Sequence, residues 1–100
     1  MYAFIQDVPA NEEMYRQIRE KLGSAPPPGM VAHIAVKRPA GLRYVEVWAT
    51  EADWNAFRDS RLEPAVGEVL ASYGLPHDHS LVTFEMLDVV DAWLGELVTG

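Results

Sequence analysis

The sequence contains no cysteine. Disulfide bonds, thiolate metal sites and a cysteine nucleophile are therefore excluded, and the composition suits a reducing compartment such as the cytosol. Positive charge is also scarce, because 8 Lys and Arg residues stand against 15 Asp and Glu residues. A field of that sign repels phosphate backbones, so we expect no nucleic-acid partner.

Long apolar segments and cofactor motifs are missing as well. No stretch approaches the roughly 20 apolar residues of a membrane-spanning helix, and the initial MYAFIQDVPANEE lacks the basic segment of a signal peptide. We therefore expect a cytoplasmic protein that does not bind membranes. The sequence has neither a G-x-G-x-x-G fingerprint nor a P-loop, and nothing in it suggests flavin, so we expect no cofactor.

What remains is an ordinary globular composition in a short chain. One hundred residues, 49% of them hydrophobic, predict one domain. A domain of this size buries a smaller share of its surface than a larger one, so an additional interface in a homo-oligomer would help it. We place the domain at residues 1–90 and treat residues 91–100 as a tail. In that tail Trp93, Leu94, Leu97 and Val98 could form an amphipathic turn or two.

Apolar periodicity and capping residues predict six elements. A strand at Tyr2–Val8 precedes a helix that Asn11 caps and Gly23 ends. Strands are predicted at Met30–Lys37, Leu42–Ala49 and Leu81–Val90, the first two joined by a four-residue turn as an antiparallel hairpin. A second helix begins after Thr50, and Pro64 should break or restart it.

The resulting order, β-α-β-β-α-β, predicts an α+β, ferredoxin-like fold with a four-stranded antiparallel sheet and helices on one face. The second strand alternates Val31, His33, Ala35 and Lys37 with Met30, Ala32, Ile34 and Val36, so it is apolar on nearly both sides. Helices on one face would leave an apolar sheet face in water, and exposed patches of that kind usually mark an interface. We therefore expect a homodimer whose sheets pair across a two-fold axis.

The segments GMVAHIAV and RYVEVWATEADWNAFRDSRLEPAV, with the aliphatic last strand, resemble the antibiotic biosynthesis monooxygenase-like (ABM) family of the dimeric α+β barrel superfamily. The resemblance covers roughly residues 2–90 and implies a dimeric barrel. In the monooxygenase branch it implies a cleft between sheet and helices, where an electron-rich phenol or its anion reacts with oxygen without a cofactor. The superfamily also includes cyclases, isomerases and members without a known role.

The haem-degrading branch of that superfamily does not fit this chain. It has an Asn on the first strand, a Trp in the second helix and a His about ten residues later. The matching positions here hold Gln6, Phe57 and Gly67. All three departures argue against haem oxygenation.

His33 and Glu46 are the candidate catalytic residues. His33 lies mid-strand among apolar neighbours, and its unperturbed pKa of about 6.5 suits a base or hydrogen-bond donor near neutrality. A sheet histidine with an ordinary partner, or one at the dimer interface, is the alternative. Glu46 could orient His33 or hold a substrate hydroxyl, but it could equally pair with Arg43 or Lys37 at a sheet edge.

Four aromatic residues are candidates for substrate binding: Tyr44, Trp48, Trp54 and Phe57. Tyr44 and Trp48 share a strand face with Glu46 by period-two geometry. The alternative for Trp48 and Trp54 is a place in the core, because large aromatics at the start of a capped helix usually pack against the sheet.

His77-Asp78-His79 invites a metal interpretation. One such triplet without a further His or Cys nearby falls short of the usual three or four ligands, so we predict no metal site. The function that these features favour is a cofactor-independent, monooxygenase-like enzyme acting on a small aromatic or polyketide-type substrate. The alternative is a non-catalytic, small-ligand-binding dimeric barrel protein.

Overall fold

The structure, a computed structural model, describes residues 1–95. Within them Trp93 and Leu94 lie in a stretch without helix or strand. The other two residues of the possible amphipathic turn or two in the tail, Leu97 and Val98, lie outside the described residues.

The described residues form a single antiparallel sheet covered by helices. The strands are β1 (Tyr2–Val8), β2 (Met30–Arg38), β3 (Gly41–Trp48) and β4 (Thr83–Leu87), and the helices are α1 (Glu12–Leu22), α2 (Glu51–Phe57) and α3 (Glu63–Ser72). The strand order is β2-β3-β1-β4, and every neighbouring pair is antiparallel. The predicted ferredoxin-like α+β fold is therefore confirmed.

Helix α1 begins and ends at the predicted residues. The Asn11 side chain accepts a hydrogen bond from the Met14 N–H at 2.8 Å, which satisfies one of the free donors of the first turn. Gly23 closes the helix with a φ of +83°, a left-handed value that glycine adopts without steric cost.

The second helical region is continuous where the sequence predicts a break or restart. Thr50 caps α2 by accepting the Asp53 N–H at 3.1 Å. A five-residue π-helical turn, Arg58–Leu62, then joins α2 to α3, and the Glu63 N–H bonds the Arg58 carbonyl five residues back. Pro64 follows in the first turn of α3. The widened turn carries the chain past a residue that has no N–H to donate.

Strand β4 is shorter than predicted, at Thr83–Leu87 instead of Leu81–Val90. At its start, His79–Leu81 form a 3₁₀ turn that the Asp78 side chain caps. At its end, Leu87 pairs with Ala3, near the first residue of β1. Only Tyr2 of β1 lies beyond that pair, so little of β1 remains for residues after Leu87 to pair with.

A bulge in β2 changes which side of the sheet Met30 faces. The register runs from Met30 opposite Trp48 to Ala32 opposite Val47, so Val31 is an extra residue. Strict alternation groups Met30 with Ala32 and Ile34, but Met30 packs against the aromatic core instead. That grouping was wrong for Met30, because one added residue reverses the alternation.

The core lies between the sheet and the helices in two clusters. The first is aromatic and joins β1, β3 and α2: Phe4, Trp48, Trp54 and Phe57. The second is mainly aliphatic and joins α1 to α3: Met14, Ile18, Ala65 and Val69. Together they fix the helices over the sheet face that carries His33 and Glu46.

The opposite sheet face, here called the outer face, is largely apolar and is exposed at β2. Its cross-strand rows include Ile34, Val45 and Ile5 in one line and Ala32, Val47 and Ala3 in the next. Ile34 is 54% exposed and Val36 is 42% exposed. The predicted apolar face is therefore present, with Ile34 and Val36 exposed on it and Ala3 buried at 1% exposure.

None of the helices within residues 1–95 is long and apolar enough to cross a membrane.

Candidate functional site

His33 and Glu46 are direct cross-strand neighbours on the helix-covered face of the sheet. The His33 Nδ1 atom is hydrogen-bonded to Glu46 Oε2. The other carboxylate oxygen, Oε1, accepts the Trp48 Nε1–H at 3.2 Å. Glu46 is only 3% exposed, so these two bonds offset part of the cost of removing its carboxylate from water. Of the two pairings considered for Glu46, the structure has the one with His33.

Tyr15 of α1 completes this group. Its hydroxyl lies 2.7 Å from His33 Nε2, and the two rings are stacked with centroids 5.9 Å apart. Trp48, Glu46, His33 and Tyr15 thus form an unbroken hydrogen-bonded series, here called the relay, that runs from the core to α1. Tyr15 was not among the predicted site residues, because Met14, Ile18 and Leu22 form the apolar stripe of this helix and Tyr15 lies beside it. Its spacing three residues before Ile18 and seven before Leu22 was the available signal.

The hydrogen bonds of His33 fix the roles of its two ring nitrogens. A carboxylate offers only acceptors, so Nδ1 carries the proton that Glu46 accepts. In the neutral ring Nε2 then carries a lone pair, and it accepts a hydrogen bond from the Tyr15 hydroxyl. A carboxylate that orients a histidine in this way also stabilises the imidazolium formed when the ring takes up a proton.

Tyr44 lies beside both rings of the relay. Its ring centroid is 5.3 Å from that of His33 and 5.6 Å from that of Tyr15. Burial, with the nearby Tyr15 and Glu46 groups, raises the pKa of the Tyr44 phenol well above its usual value. The Tyr44 hydroxyl has no hydrogen bond to another side chain or backbone group within residues 1–95.

Tyr15 is held as a neutral phenol by its surroundings. Burial raises the pKa of its hydroxyl, the positive Arg19 opposes that rise, and the negative charge of Glu46 adds to it. The phenol therefore keeps the proton that it donates to His33 near neutral pH.

The other predicted substrate-binding residues are enclosed in the aromatic core. Trp48 is fully buried, Trp54 and Phe57 nearly so, and the ring centroids of Trp48 and Trp54 are 5.5 Å apart. The place in the core considered for Trp48 and Trp54 is therefore the one they occupy, and Phe57 lies there as well. Contact with a substrate stays a prediction for these three residues, and it would require this cluster to open.

Two open clefts adjoin Tyr15, while the side chain of His33 is 21% exposed. A cleft of about 250 Å³ is lined by Glu12, Tyr15, Arg16, Ala35 and Lys37. A second, wider groove of about 500 Å³ follows the other side of Tyr15 along α1 towards Gly23. His33 lines neither, because the rings of Tyr15 and Tyr44 occupy the space around it.

A second cluster of polar side chains lies at the start of α3. The Nε2 atoms of His77 and His79 are each 3.0 Å from an oxygen of the Glu63 carboxylate. Spacing did not reveal Glu63 as a partner, because it precedes the histidines by 14 and 16 residues. The fold brings the three together by folding the loop after α3 back along the helix.

Comparisons with known proteins agree with the fold. The chain is similar to a solved structure titled "Crystal structure of antibiotic biosynthesis monooxygenase", with a TM-score of 0.58 and 17% sequence identity over 90% of this chain and 98% of that one. No protein-family model and no curated protein matches the sequence. The resemblance indicated by the sequence is thus confirmed, and at this identity it shows a shared fold.

Proposed function

We propose that this protein is a cofactor-independent, monooxygenase-like enzyme that oxidises a small aromatic or polyketide-type phenol. The observation that carries the proposal is the relay. In it the buried carboxylate of Glu46 orients His33 through Nδ1, and the other ring nitrogen, Nε2, is hydrogen-bonded to Tyr15 at an open cleft. The similar fold of a protein titled antibiotic biosynthesis monooxygenase supports the same class of reaction.

Each member of the relay has a distinct role in this proposal. The substrate phenol binds at the cleft beside Tyr15 and gives its proton to the Tyr15 oxygen as the Tyr15 proton passes to His33 Nε2. Glu46 stabilises the imidazolium that results, and Trp48 holds Glu46 in place from the core side. His33 is the base and Tyr15 is the group that touches the substrate. Base catalysis of this kind contributes about 10²–10⁴-fold to a rate.

The electron balance requires no cofactor. A ring methylene next to the phenolate gives up four electrons to O₂, so one oxygen atom becomes a ring carbonyl and the other leaves as water. Both methylene hydrogens end in that water, and the proton held by His33 returns to the phenolate oxygen. The protein binds, deprotonates and orients the substrate, while the electron-rich ring supplies the reducing power.

Tyr44 is the substrate-binding candidate that lies nearest to this chemistry, because its ring contacts both His33 and Tyr15. The other three candidates would act without touching the substrate. Trp48 holds Glu46 through its hydrogen bond, and the cluster of Trp48, Trp54 and Phe57 fixes α2 over the sheet. A phenol bound against Tyr15 would gain an aromatic contact worth about 0.5–1.5 kcal/mol beyond its buried area.

The test is oxygen consumption with a panel of anthrone-type and other polyketide phenols, with products followed by mass spectrometry. We expect turnover of at least one substrate and a loss of about 10²–10⁴-fold in kcat for His33→Ala. Tyr73→Phe is the matched control, because it removes a tyrosine hydroxyl that bonds Gln17 at the surface of α1. A panel without turnover, or a His33→Ala variant with full activity, would remove the proposal.

A non-catalytic ligand-binding protein is the second candidate. The observation that favours it is that side chains fill the space around His33 and leave only open clefts at the surface. Thermal-shift screening against the same phenols separates the two candidates. Stabilisation without oxygen consumption supports binding alone, whereas stabilisation with turnover supports the enzyme.

We further propose that a second copy of the chain covers the outer face. Its apolar rows are bordered by a charged group in which Arg43 donates two hydrogen bonds to Asp7. A two-fold axis would set the apolar rows of one copy against those of the other. Light scattering should give a dimer for the wild type and a monomer for Ile34→Lys. Leu75→Lys, at a comparably exposed position outside the sheet, should remain dimeric.

A stable wild-type monomer at micromolar concentration would contradict the dimer.

The expected cytoplasmic location also stays a prediction, which fractionation of cells that produce the protein at native levels would check.

A further inference from the structure

We propose that Glu63, His77 and His79 bind a divalent transition-metal ion, with Zn²⁺ as the preferred occupant. The three side chains come from α3 and from the loop that follows it, and none belongs to the relay. The proposal is therefore independent of the proposed oxygenase function. It replaces the prediction of no metal site, which depended on the histidine triplet having no further ligand.

The ligand atoms already converge on one point. One atom from each side chain lies within 4.8 Å of the other two, and both histidines approach the carboxylate through Nε2 at 3.0 Å. Tetrahedral zinc with bonds of about 2.0–2.1 Å places its ligand atoms roughly 3.3 Å apart. The two contacts with Glu63 are thus close to the required spacing.

The backbone around the cluster holds these side chains in place. Glu63 is the first residue of α3. The loop is anchored to the end of that helix by the Leu75 N–H, which bonds the Leu70 carbonyl at 3.0 Å. Further along, the Asp78 side chain accepts from the Ser80 N–H at 2.9 Å and from its hydroxyl at 2.6 Å. His77 and His79, two residues apart in this braced loop, therefore reach the same side.

The helix also leaves room for one of the rings. His77 lies over the turn of α3 that follows Glu63, and its Nδ1 is 3.7 Å from the place that a Cβ on Gly67 would take. With Nδ1 on the helix side, Nε2 faces the Glu63 carboxylate. This is the nitrogen that a metal would bind.

The donor set favours zinc over the abundant alkaline-earth ions. Two imidazoles and one carboxylate form the ligand set of open zinc sites, in which water completes the coordination, whereas Mg²⁺ and Ca²⁺ prefer oxygen ligands alone. The side chain of His79 is 67% exposed, so an ion can enter from solvent and keep a water ligand. The net charge of −7 also raises the local concentration of cations.

The test is isothermal titration of tag-free, chelator-treated protein with Zn²⁺, and with Mg²⁺ in a parallel experiment. We expect one Zn²⁺ per chain and no saturable heat with Mg²⁺. His79→Ala and Glu63→Gln should each weaken Zn²⁺ binding at least tenfold. Glu68→Gln is the matched control, because it removes one carboxylate from the same helix at a residue that pairs with Lys21 and not with the cluster.

Three results would overturn the proposal: no saturable Zn²⁺ binding, equal binding by wild type and both ligand variants, or Mg²⁺ binding as tight as that of Zn²⁺. A second readout does not depend on heats. Zn²⁺ should raise the melting temperature of the wild type and of Glu68→Gln, because a ligand that binds only the folded state stabilises it. The same addition should leave the melting temperature of His79→Ala unchanged.

Discussion

The Tyr15 hydroxyl and the Nε2 atom of His33 lie 2.7 Å apart and join the first helix to the second strand. This contact links the partly buried His33 and its buried partner Glu46 to α1, where Tyr15 lines both open clefts. Glu46 satisfies one of the two ring nitrogens of His33, and Tyr15 satisfies the other. The additional bond to a half-buried tyrosine is what makes the site a candidate for proton transfer.

Glu46→Gln should move the ring proton of His33 from Nδ1 to Nε2. The Gln carbonyl oxygen can accept from Trp48 Nε1 as Glu46 does, which leaves the amide NH₂ facing His33 Nδ1. Because an NH₂ group only donates, the ring proton must move to Nε2, and the Tyr15 hydroxyl loses its acceptor. ¹⁵N NMR of the imidazole should show protonated Nδ1 in the wild type and protonated Nε2 in the variant. Any phenol oxidation should fall by about 10²–10⁴-fold.

An unchanged Nδ1–H tautomer in Glu46→Gln would contradict this prediction. The variant's far-ultraviolet circular dichroism must match that of the wild type, since a change of tautomer alone leaves the sheet intact.

Tyr15→Phe should separate relay chemistry from direct attack by His33. If the substrate proton travels through the Tyr15 oxygen, the variant loses at least tenfold in kcat with little change in KM. The missing hydrogen bond should lower the free energy of unfolding by about 1 kcal/mol. Activity that is unchanged or increased would mean that the substrate reaches His33 Nε2 itself and that Tyr15 only covers it. Steady-state kinetics and urea unfolding measure the two effects, with Tyr73→Phe as the control.

Asp7→Asn should lower stability at neutral pH but not in acid. Arg43 holds two hydrogen bonds to the Asp7 carboxylate at 2.8 and 3.0 Å and lowers its pKa below the ordinary 3.8, with burial opposing and Arg38 assisting. The native state therefore favours the ionised form. That stabilisation is present above pH 3.8 and disappears as pH falls through the lowered native pKa.

Urea unfolding at about pH 7 and about pH 2 measures this difference, because urea adds no salt to screen the pair. Asp59→Asn is the control, since the side chain of Asp59 is 67% exposed and, among residues 1–95, pairs only with its neighbour Arg58. A deficit in Asp7→Asn that persists unchanged in acid would show that the loss is not electrostatic.

The helix boundaries could be predicted from the sequence because the residues that begin and end the helices act locally. Asn11, Gly23 and Thr50 act through bonds within one turn of a helix, so the same residues mark the same boundaries in the structure. The side of the sheet that Met30 faces depends on one extra residue in the ladder, and the end of β4 depends on where β1 begins. The orientation of Met30 therefore cannot be deduced from the sequence of β2 alone, and the end of β4 cannot be deduced from the sequence of β4 alone.

The candidate site was predicted in part for the same reason. His33 and Glu46 face each other because a short turn sets the register of their hairpin. Their third partner, Tyr15, comes from a helix whose docking is decided by the packing of Ile18 and Val69 in the second core cluster. Glu63 joins His77 and His79 through a loop whose path the sequence does not show. Contacts that depend on docking between distant elements were therefore the ones missed.

Gly41→Ala should disrupt the end of the hairpin, whereas Gly74→Ala should be tolerated. Both glycines have positive φ, at +142° and +69°, so each alanine meets backbone strain. A Cβ on Gly41 would also lie 2.1 Å from the Val8 carbonyl oxygen and 3.0 Å from Pro9 Cα, and backbone atoms cannot rotate away. A Cβ on Gly74 meets nothing within 4 Å. Urea unfolding should show a loss of about 1–2 kcal/mol for Gly74→Ala and more than about 3 kcal/mol for Gly41→Ala. Equal losses would mean that β1 can move away from the turn, so that its close approach does not constrain position 41.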